Sequence, residues 1–203
     1  MIHDQPLNEI QKIESEIFAL NQKLTKLRRD HVPVEVKNYT FQTLVGEVSL
    51  LDLFGDKMQL IAVHNMGQGC RYCTLWADGI NGFLPHLEER LAVVLMSKDA
   101  PELQRRFANS RGWRFRMVSH GGNEYTLEQT PVPNEKNRPA LVCYERQGNK
   151  IFRKNISAFG PGDMFCSIWP ILSLAGLDEK NWTPQFSYWS RPDKMDDGGQ
   201  NLI

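Results

Sequence analysis

Two cysteines with two residues between them, Cys70-Arg71-Tyr72-Cys73, are the side chains of this sequence best suited to chemistry. In such a pair one sulfur, as thiolate, attacks a disulfide, and the second then attacks the mixed disulfide. The pair thereby exchanges two electrons with a partner dithiol. The cysteines follow His64-Asn65-Met66-Gly67-Gln68-Gly69, and their neighbours say where they must sit. Met58 to His64 is an apolar run of strand length, which reads as a buried central strand. Leu75, Trp76, Ile80, Phe83, Leu84 and Leu87 recur at helical spacing and predict a helix from Cys73 to Arg90, with a kink or break at Pro85. A strand-to-helix junction puts the pair at a helix N-terminus, whose unpaired N–H groups and partial positive charge stabilise a thiolate. Arg71 adds a full charge beside it. Cys70 is therefore expected to be the attacking thiol, with a lowered pKa, and Cys73 the resolving one.

The same spacing has other readings. A C-x-x-C is also half of a zinc site, but zinc needs two more ligands. Cys143 and Cys166 are far apart in sequence and lie in apolar runs, which suits core positions, so no metal is expected. The pair could also be vestigial on a scaffold that binds without turnover.

Stepping outward, residues 6–30 form an amphipathic pattern. Ile10, Ile13, Ile17, Leu20, Leu24 and Leu27 follow spacings of three and four, and Pro33 ends the run. Asp4 and Glu9 near its start, and Lys23, Lys26, Arg28 and Arg29 near its end, suit the helix dipole. The stripe is short for a free coiled coil and favours docking or a swapped arm, with a homodimer through this helix as a possible partner arrangement. Residues 34–46 look extended, with Gly46 ending the run. Ser49 and Asp52 resemble a capping box, and Gly55 closes a short helical turn. Leu91 to Met96 reads as a strand, 100–111 as a helix between Pro101 and Gly112, and Trp113-Phe115-Met117 as a third strand. Residues 126–138 are the main irregular loop. Leu141–Tyr144 and Lys150–Arg153 flank Gln147-Gly148-Asn149 as a hairpin. Asp163 is a candidate cap for a helix over 164–175 that Pro170 interrupts. The aromatic tail (Trp182, Phe186, Tyr188, Trp189) should pack on the domain before fraying near Asp196. The organisation is thus an N-terminal helical extension over 1–33, a domain over 34–190 and a flexible tail over 191–203. The alternation of strands and helices demands a partly parallel sheet, and the closing hairpin makes it mixed. The fold class is α/β: a thioredoxin-like fold with a central mixed sheet flanked by helices, plus the N-terminal helix and the C-terminal aromatic tail.

Composition narrows the function classes. The chain has 203 residues, with 24 Lys plus Arg against 24 Asp plus Glu, so it carries no electrostatic footprint for nucleic acid or an anionic membrane. No apolar stretch is of bilayer length, and Met1-Ile2-His3-Asp4-Gln5-Pro6 lacks a basic-then-apolar leader, so the expected location is cytoplasmic.

The strand, C-x-x-C and helix look like thioredoxin. More closely, the chain resembles a family of uncharacterised bacterial thioredoxin-like proteins, a domain of unknown function. The matching stretches are Leu53-Phe54-Gly55, Gln59-Leu60-Ile61, His64 with Met66, Gly69-Cys70-Arg71-Tyr72-Cys73, Trp76-Ala77-Asp78, Leu84-Pro85-His86-Leu87, Gly112-Trp113 with Phe115, and Val118-Ser119. They cover roughly residues 5–190 and are clearest between 53 and 120. The thioredoxin resemblance also implies roles. Thioredoxins hold a buried acid six residues before the first cysteine, where this chain has His64, which would take the proton of Cys73 unless it is simply a satisfied core histidine. They place a cis-proline before the hairpin strand, where this chain has Pro139, which would open backbone to a substrate peptide unless it is a trans surface proline. Gly69 stands where thioredoxins carry Trp, and Arg71-Tyr72 where they carry Gly-Pro. That changes the docking surface around Arg71 and Tyr72 and should make the couple more oxidising. The Thr and Pro that peroxiredoxins place before their reactive cysteine are absent. His86 and Asp78 read as surface or packing residues, and His120-Gly121-Gly122 as a turn that could approach the site. The expected function is thiol–disulfide exchange by a Cys70/Cys73 dithiol–disulfide, with no other cofactor and with a protein or small-molecule thiol or disulfide as partner. The competing expectation is a non-catalytic binding module on the same scaffold.

Overall fold

The computed structural model describes residues 5–132, 135, 137–178 and 180–186. The expectations for Asp4, for Tyr188 and Trp189, and for the flexible tail over 191–203 fall outside the described residues.

Thirteen labelled elements follow in order: α1 (Gln5–Asp30), β1 (Val34–Val36), β2 (Thr40–Thr43), β3 (Gly46–Ser49), β4 (Gln59–His64), α2 (Arg71–Glu88), β5 (Ala92–Ser97), α3 (Pro101–Arg111), β6 (Arg116–Ser119), α4 (Tyr125–Glu128), β7 (Ala140–Gln147), β8 (Lys150–Ala158) and α5 (Ile168–Leu174). One sheet holds all eight strands in the order β1-β8-β7-β4-β5-β6-β2-β3. Its centre is parallel, β4 with β5 and β5 with β6, as crossover helices require. β7 runs antiparallel to β4, and β8 antiparallel to β7. The β7–β8 hairpin turns at Gly148, whose φ of 60° is the left-handed conformation that a two-residue turn needs.

Period two along the central strands splits the core between the two faces. Leu60 and Ala62 of β4, Val94 and Met96 of β5, and Val142 and Tyr144 of β7 pack with Tyr39, Phe41, Phe54 and Tyr125. Val63 of β4 and Val93 and Leu95 of β5 face the other way, against Trp76, Ala77, Ile80 and Leu84 of α2. Both faces are covered, so these strands read as continuous apolar runs rather than alternating ones.

Several boundaries differ from the sequence reading, each for a local reason. Gly46 does not end the extended segment but begins β3. The Thr43 hydroxyl donates to Gly46 O at 2.7 Å and accepts the Val45 N–H at 3.2 Å, which folds the segment into a hairpin. α2 runs through Pro85 without a break, because Pro85 is exposed in the last turns and forgoes only one bond there. The third strand starts at Arg116, since Trp113 and Phe115 are buried in the helical layer before pairing begins. The supposed loop over 126–138 begins as α4, with Thr126, Gln129 and Thr130 buried. The Asp163 carboxylate does accept N–H bonds, from Phe165 at 2.8 Å and Cys166 at 3.2 Å. They tie down a turn, so α5 starts only at Ile168. Pro170 sits in the first turn of α5, where a missing N–H costs nothing.

Asp78, read as a packing residue, ties α2 to the α3–β6 connection. It accepts the indole N–H of the buried Trp113 at 2.7 Å and bonds from the Arg111 guanidinium. Asp78→Ala would leave that indole unpaired. It should destabilise the fold by about 1–3 kcal/mol, read as a lower urea midpoint with an unchanged slope.

Candidate functional site

The loop between β4 and α2 is held from both sides before it reaches the cysteines. Asn65 donates its N–H to Met96 O at 2.8 Å, and its side chain accepts the Gly67 N–H at 2.8 Å and donates to Cys73 O at 3.3 Å. Asp99, just beyond β5, accepts the Gln68 N–H at 2.7 Å. Gly67 has φ of 111°, and a Cβ there would lie 2.8 Å from the Asp99 carboxylate oxygens. Asn137, itself at φ 58°, donates to Met66 O at 3.3 Å. Asn65 and Asp99 are the functional residues the sequence reading missed. The available signal was positional: each is a short polar residue at the C-terminal end of a buried strand, at the sheet edge where the cysteines emerge.

Cys70 is the N-cap of α2, with φ −99° and ψ 104°. Its sulfur takes the place that a Ser or Asp oxygen usually fills, accepting the Cys73 N–H at 3.1 Å. Its own N–H donates to Gly67 O at 3.0 Å, and its carbonyl receives both the N–H and the hydroxyl of Thr74. Cys73 is buried one turn inside, with the Met66 N–H directed at its sulfur at 3.5 Å, while Cys70 is half-buried. Both are free thiols, as are Cys143 and Cys166.

This geometry pulls the two thiols apart in acidity. Cys70 is lowered to about 7, chiefly because the Cys73 thiol hydrogen-bonds to it, with the backbone N–H groups of Cys73 and Tyr72 adding to the effect against a burial cost. Cys73 is pushed well up by the same bond and by burial. The outer thiol is thus the more acidic of the two. Arg71, expected to stabilise the thiolate, is turned to another partner. Its guanidinium lies 5.7 Å over the Phe186 ring, drawn towards the C-terminal segment. The other two cysteines are shifted the opposite way to Cys70: burial pushes Cys143 up to about 11 and also raises Cys166.

Tyr72 points along an aromatic wall, 6.5 Å from Trp169 in a stacked arrangement and 6.1 Å from Trp76. Trp76 stacks on Phe159 at 5.1 Å, and Trp182 meets Trp169 at 6.0 Å. The described part of the aromatic tail therefore does pack on the domain, beside the site.

Two residues assigned roles from the thioredoxin resemblance stand elsewhere. His64 lies on the sheet face opposite α2, because it continues the Leu60–Ala62 row. Its Nε2 hydrogen-bonds the Tyr125 hydroxyl at 2.5 Å, within a buried group that also holds Tyr144 and Gln129. Burial, with His120 nearby, lowers its pKa to about 3, so it is neutral, and its bond is to tyrosine rather than to Cys73. His120 is buried beside Tyr125 in the same region. Pro139 precedes β7, but no peptide bond among the described residues is cis, and its carbonyl accepts the Phe159 N–H at 3.0 Å. The Pro139 carbonyl is thus engaged by its own chain. The structure thus gathers Cys70, Arg71, Tyr72 and Cys73 in one helical turn and assigns His64 and Pro139 to other partners. Among the described residues, no group of three His, Cys, Asp or Glu side chains could hold a metal ion, and no helix is long and apolar enough to cross a membrane.

The family model described as bacterial protein of unknown function (DUF899) matches residues 8–195. The chain belongs to this family. No curated protein matches it. Solved structures share its fold at low identity. Peroxidoxin BcpB from Mycobacterium tuberculosis is 14% identical, with 63% of this chain and 85% of that chain covered and a TM-score of 0.51. A hypothetical protein from Sinorhizobium meliloti 1021 is 14% identical, with 76% and 88% covered and a TM-score of 0.51. A yeast mitochondrial 1-Cys peroxiredoxin is 13% identical, with 74% and 81% covered and a TM-score of 0.50. This family member therefore has the thioredoxin-like fold that peroxiredoxins also use.

The site yields two expectations. Alkylation of Cys70 by iodoacetamide should rise with pH through a midpoint of about 7. Cys73→Ala removes the thiol that stabilises the anion, so the midpoint should move up towards the ordinary value, cutting the rate at pH 7 from about half-maximal to a few per cent. Gly67→Ala places a Cβ against Asp99 at positive φ. It should lower stability by roughly 1–3 kcal/mol in chemical denaturation.

Proposed function

We propose that this protein is a thiol–disulfide oxidoreductase that cycles Cys70 and Cys73 between dithiol and disulfide. The observation that supports this most directly is the opposed acidity of two thiols held within one helical turn, the outer one lowered to about 7 and the inner one raised. In the reductive direction the Cys70 thiolate attacks one sulfur of a substrate disulfide. A Cys70–substrate mixed disulfide forms, and the second substrate sulfur leaves as thiolate. Once Cys70 is bound in that disulfide, its hydrogen bond no longer holds the Cys73 proton. The proton passes to the departing thiolate, while the Met66 N–H supports the charge that appears on the Cys73 sulfur. Cys73 then attacks the Cys70 sulfur and expels the remaining substrate sulfur as thiolate, which takes a proton from water. The substrate gains two electrons and two protons, the protein is left with a Cys70–Cys73 disulfide, and a dithiol donor restores it by the reverse sequence.

In this reading Arg71, Tyr72 and the aromatic wall behind Tyr72 face the incoming substrate, and a protein or small-molecule disulfide is the partner. No cofactor beyond the cysteine pair takes part. Neither His64 nor Pro139 is needed, because the departing thiolate serves as the base and the Pro139 carbonyl is occupied.

The test is a redox titration of the purified protein in glutathione buffers, counting alkylated thiols by mass, with Cys73→Ser as control. A reversible two-thiol transition between about −270 and −120 mV, lost in the control, is expected. Absence of any Cys70–Cys73 disulfide at every poise would overturn the reading in favour of a binding role for the scaffold.

A further inference from the structure

α1 is anchored at one end and bare along the rest. Near its C-terminus Arg28 lies 5.6 Å over the Phe165 ring and approaches the Met164 sulfur, and its carbonyl accepts the Asn155 side chain at 3.1 Å. Towards the N-terminus the stripe of Ile10, Ile13, Ile17 and Leu20 is exposed, each at close to half or more of its surface. Ile10, Ile13 and Ile17 border a groove of about 860 Å³, whose far wall is Pro170, Ile171 and Leu174 of α5, with Leu174 88% exposed. Two helices thus present aliphatic side chains to a space that the described chain leaves open. An apolar stripe of this length in water calls for a covering surface.

We infer that a second copy of this chain fills that space, with the two α1 helices packed antiparallel about a two-fold axis. The charges along α1 select both the occupant and its direction. Its first half carries Glu9, Glu14 and Glu16 against Lys12, while its second half carries Lys23, Lys26, Arg28 and Arg29 against Asp30. Such a helix is complementary to itself reversed. Taking Ile10, Ile17 and Leu24 as one seam position and Ile13, Leu20 and Leu27 as the other, the antiparallel register pairs Ile10 with Leu27 of the partner copy, Ile13 with Leu24 and Ile17 with Leu20. Every apolar layer is matched, and the symmetry repeats the set. In that register Glu16 flanks Lys23 of the partner copy, twice; Glu9 flanks Asp30, also twice, but the Asp30 carboxylate is already paired with Lys26 of its own helix. A parallel pair would instead set Glu9 beside Glu14 and Lys23 beside Arg28, repulsive on both edges. The axis falls near Phe18 and Ala19. Leu24 and Leu27 border β8 of their own body, so each body holds one end of the seam, and α5 of one copy meets the C-terminal half of the other copy's α1.

Sedimentation velocity of the full chain at micromolar concentration tests this without reference to redox activity. A dimer is expected. Ile17→Asp puts a charge into a central layer and should give a monomer whose near-ultraviolet circular dichroism, which reports the packed tryptophans of the body, is unchanged. The exposed pair gives a second test that does not risk the fold. Glu16→Lys alone and Lys23→Glu alone should each weaken dimerisation roughly tenfold, and the double variant should restore it. A monomeric wild type, or a dimer indifferent to Ile17→Asp, would overturn the interface. Tighter association of Lys23→Glu, which a parallel pair would show through Arg28, would overturn the direction.

Discussion

The sulfur with the lowered pKa is also the atom that caps the helix carrying it. An α-helix leaves its first N–H groups without partners, and in α2 the Cys70 sulfur accepts one of them, from Cys73. Under the proposed function, the demand for a cap and the demand for a nucleophile meet on one atom, and each reinforces the other. A thiolate caps better than a thiol, so the helix end favours the charged form that attacks disulfides. The Cys73 thiol adds a second donor to the same sulfur and gives up acidity in doing so. Whatever stabilises the thiolate also favours the reduced state of the pair, which links the helix cap to the redox poise.

That arrangement holds only if the loop arrives at the helix in one conformation. Asn65 and Asp99, at the ends of two neighbouring parallel strands, bond the backbone of Gly67 and Gln68, and Gly67 adopts a φ that other residues avoid. The parallel β4–β5 pair therefore does more than bury apolar area. It brings together two side chains 34 positions apart in sequence, and they fix the loop that delivers Cys70. The aromatic wall running from Tyr72 through Trp169 to Trp182 plays a similar part on the other side. It packs the first turn of α2 against α5 and the C-terminal segment, and Phe186 draws the Arg71 side chain the same way.

His64 departs from the role carried over by analogy because of the period of a strand. A residue six places before the first cysteine takes its face from strand alternation, and here that face is occupied by Tyr125 and Tyr144. His64 therefore became part of a buried hydroxyl network and lost its charge to burial. Pro139 stands at the expected place before a hairpin strand, but its carbonyl pairs with Phe159. That carbonyl is used by the fold itself.

Much of this was legible from residue types and short spacings. Apolar runs marked the central strands, Pro101 and Gly112 bracketed a helix, Ser49 with Asp52 marked a local turn, and Cys70 and Cys73 at a strand-to-helix junction marked the site. These signals are local: each depends on backbone geometry within a turn or two, which neighbouring residues decide. What lay beyond sequence was set by contacts between distant segments. Among these are the face on which His64 lies, the partner of Arg71, the clamp from Asp99, the passage of α2 through Pro85, and the stripe of α1 left uncovered. No spacing encodes such contacts, because burial and pairing partners exist only after the sheet has closed and its two faces have been filled.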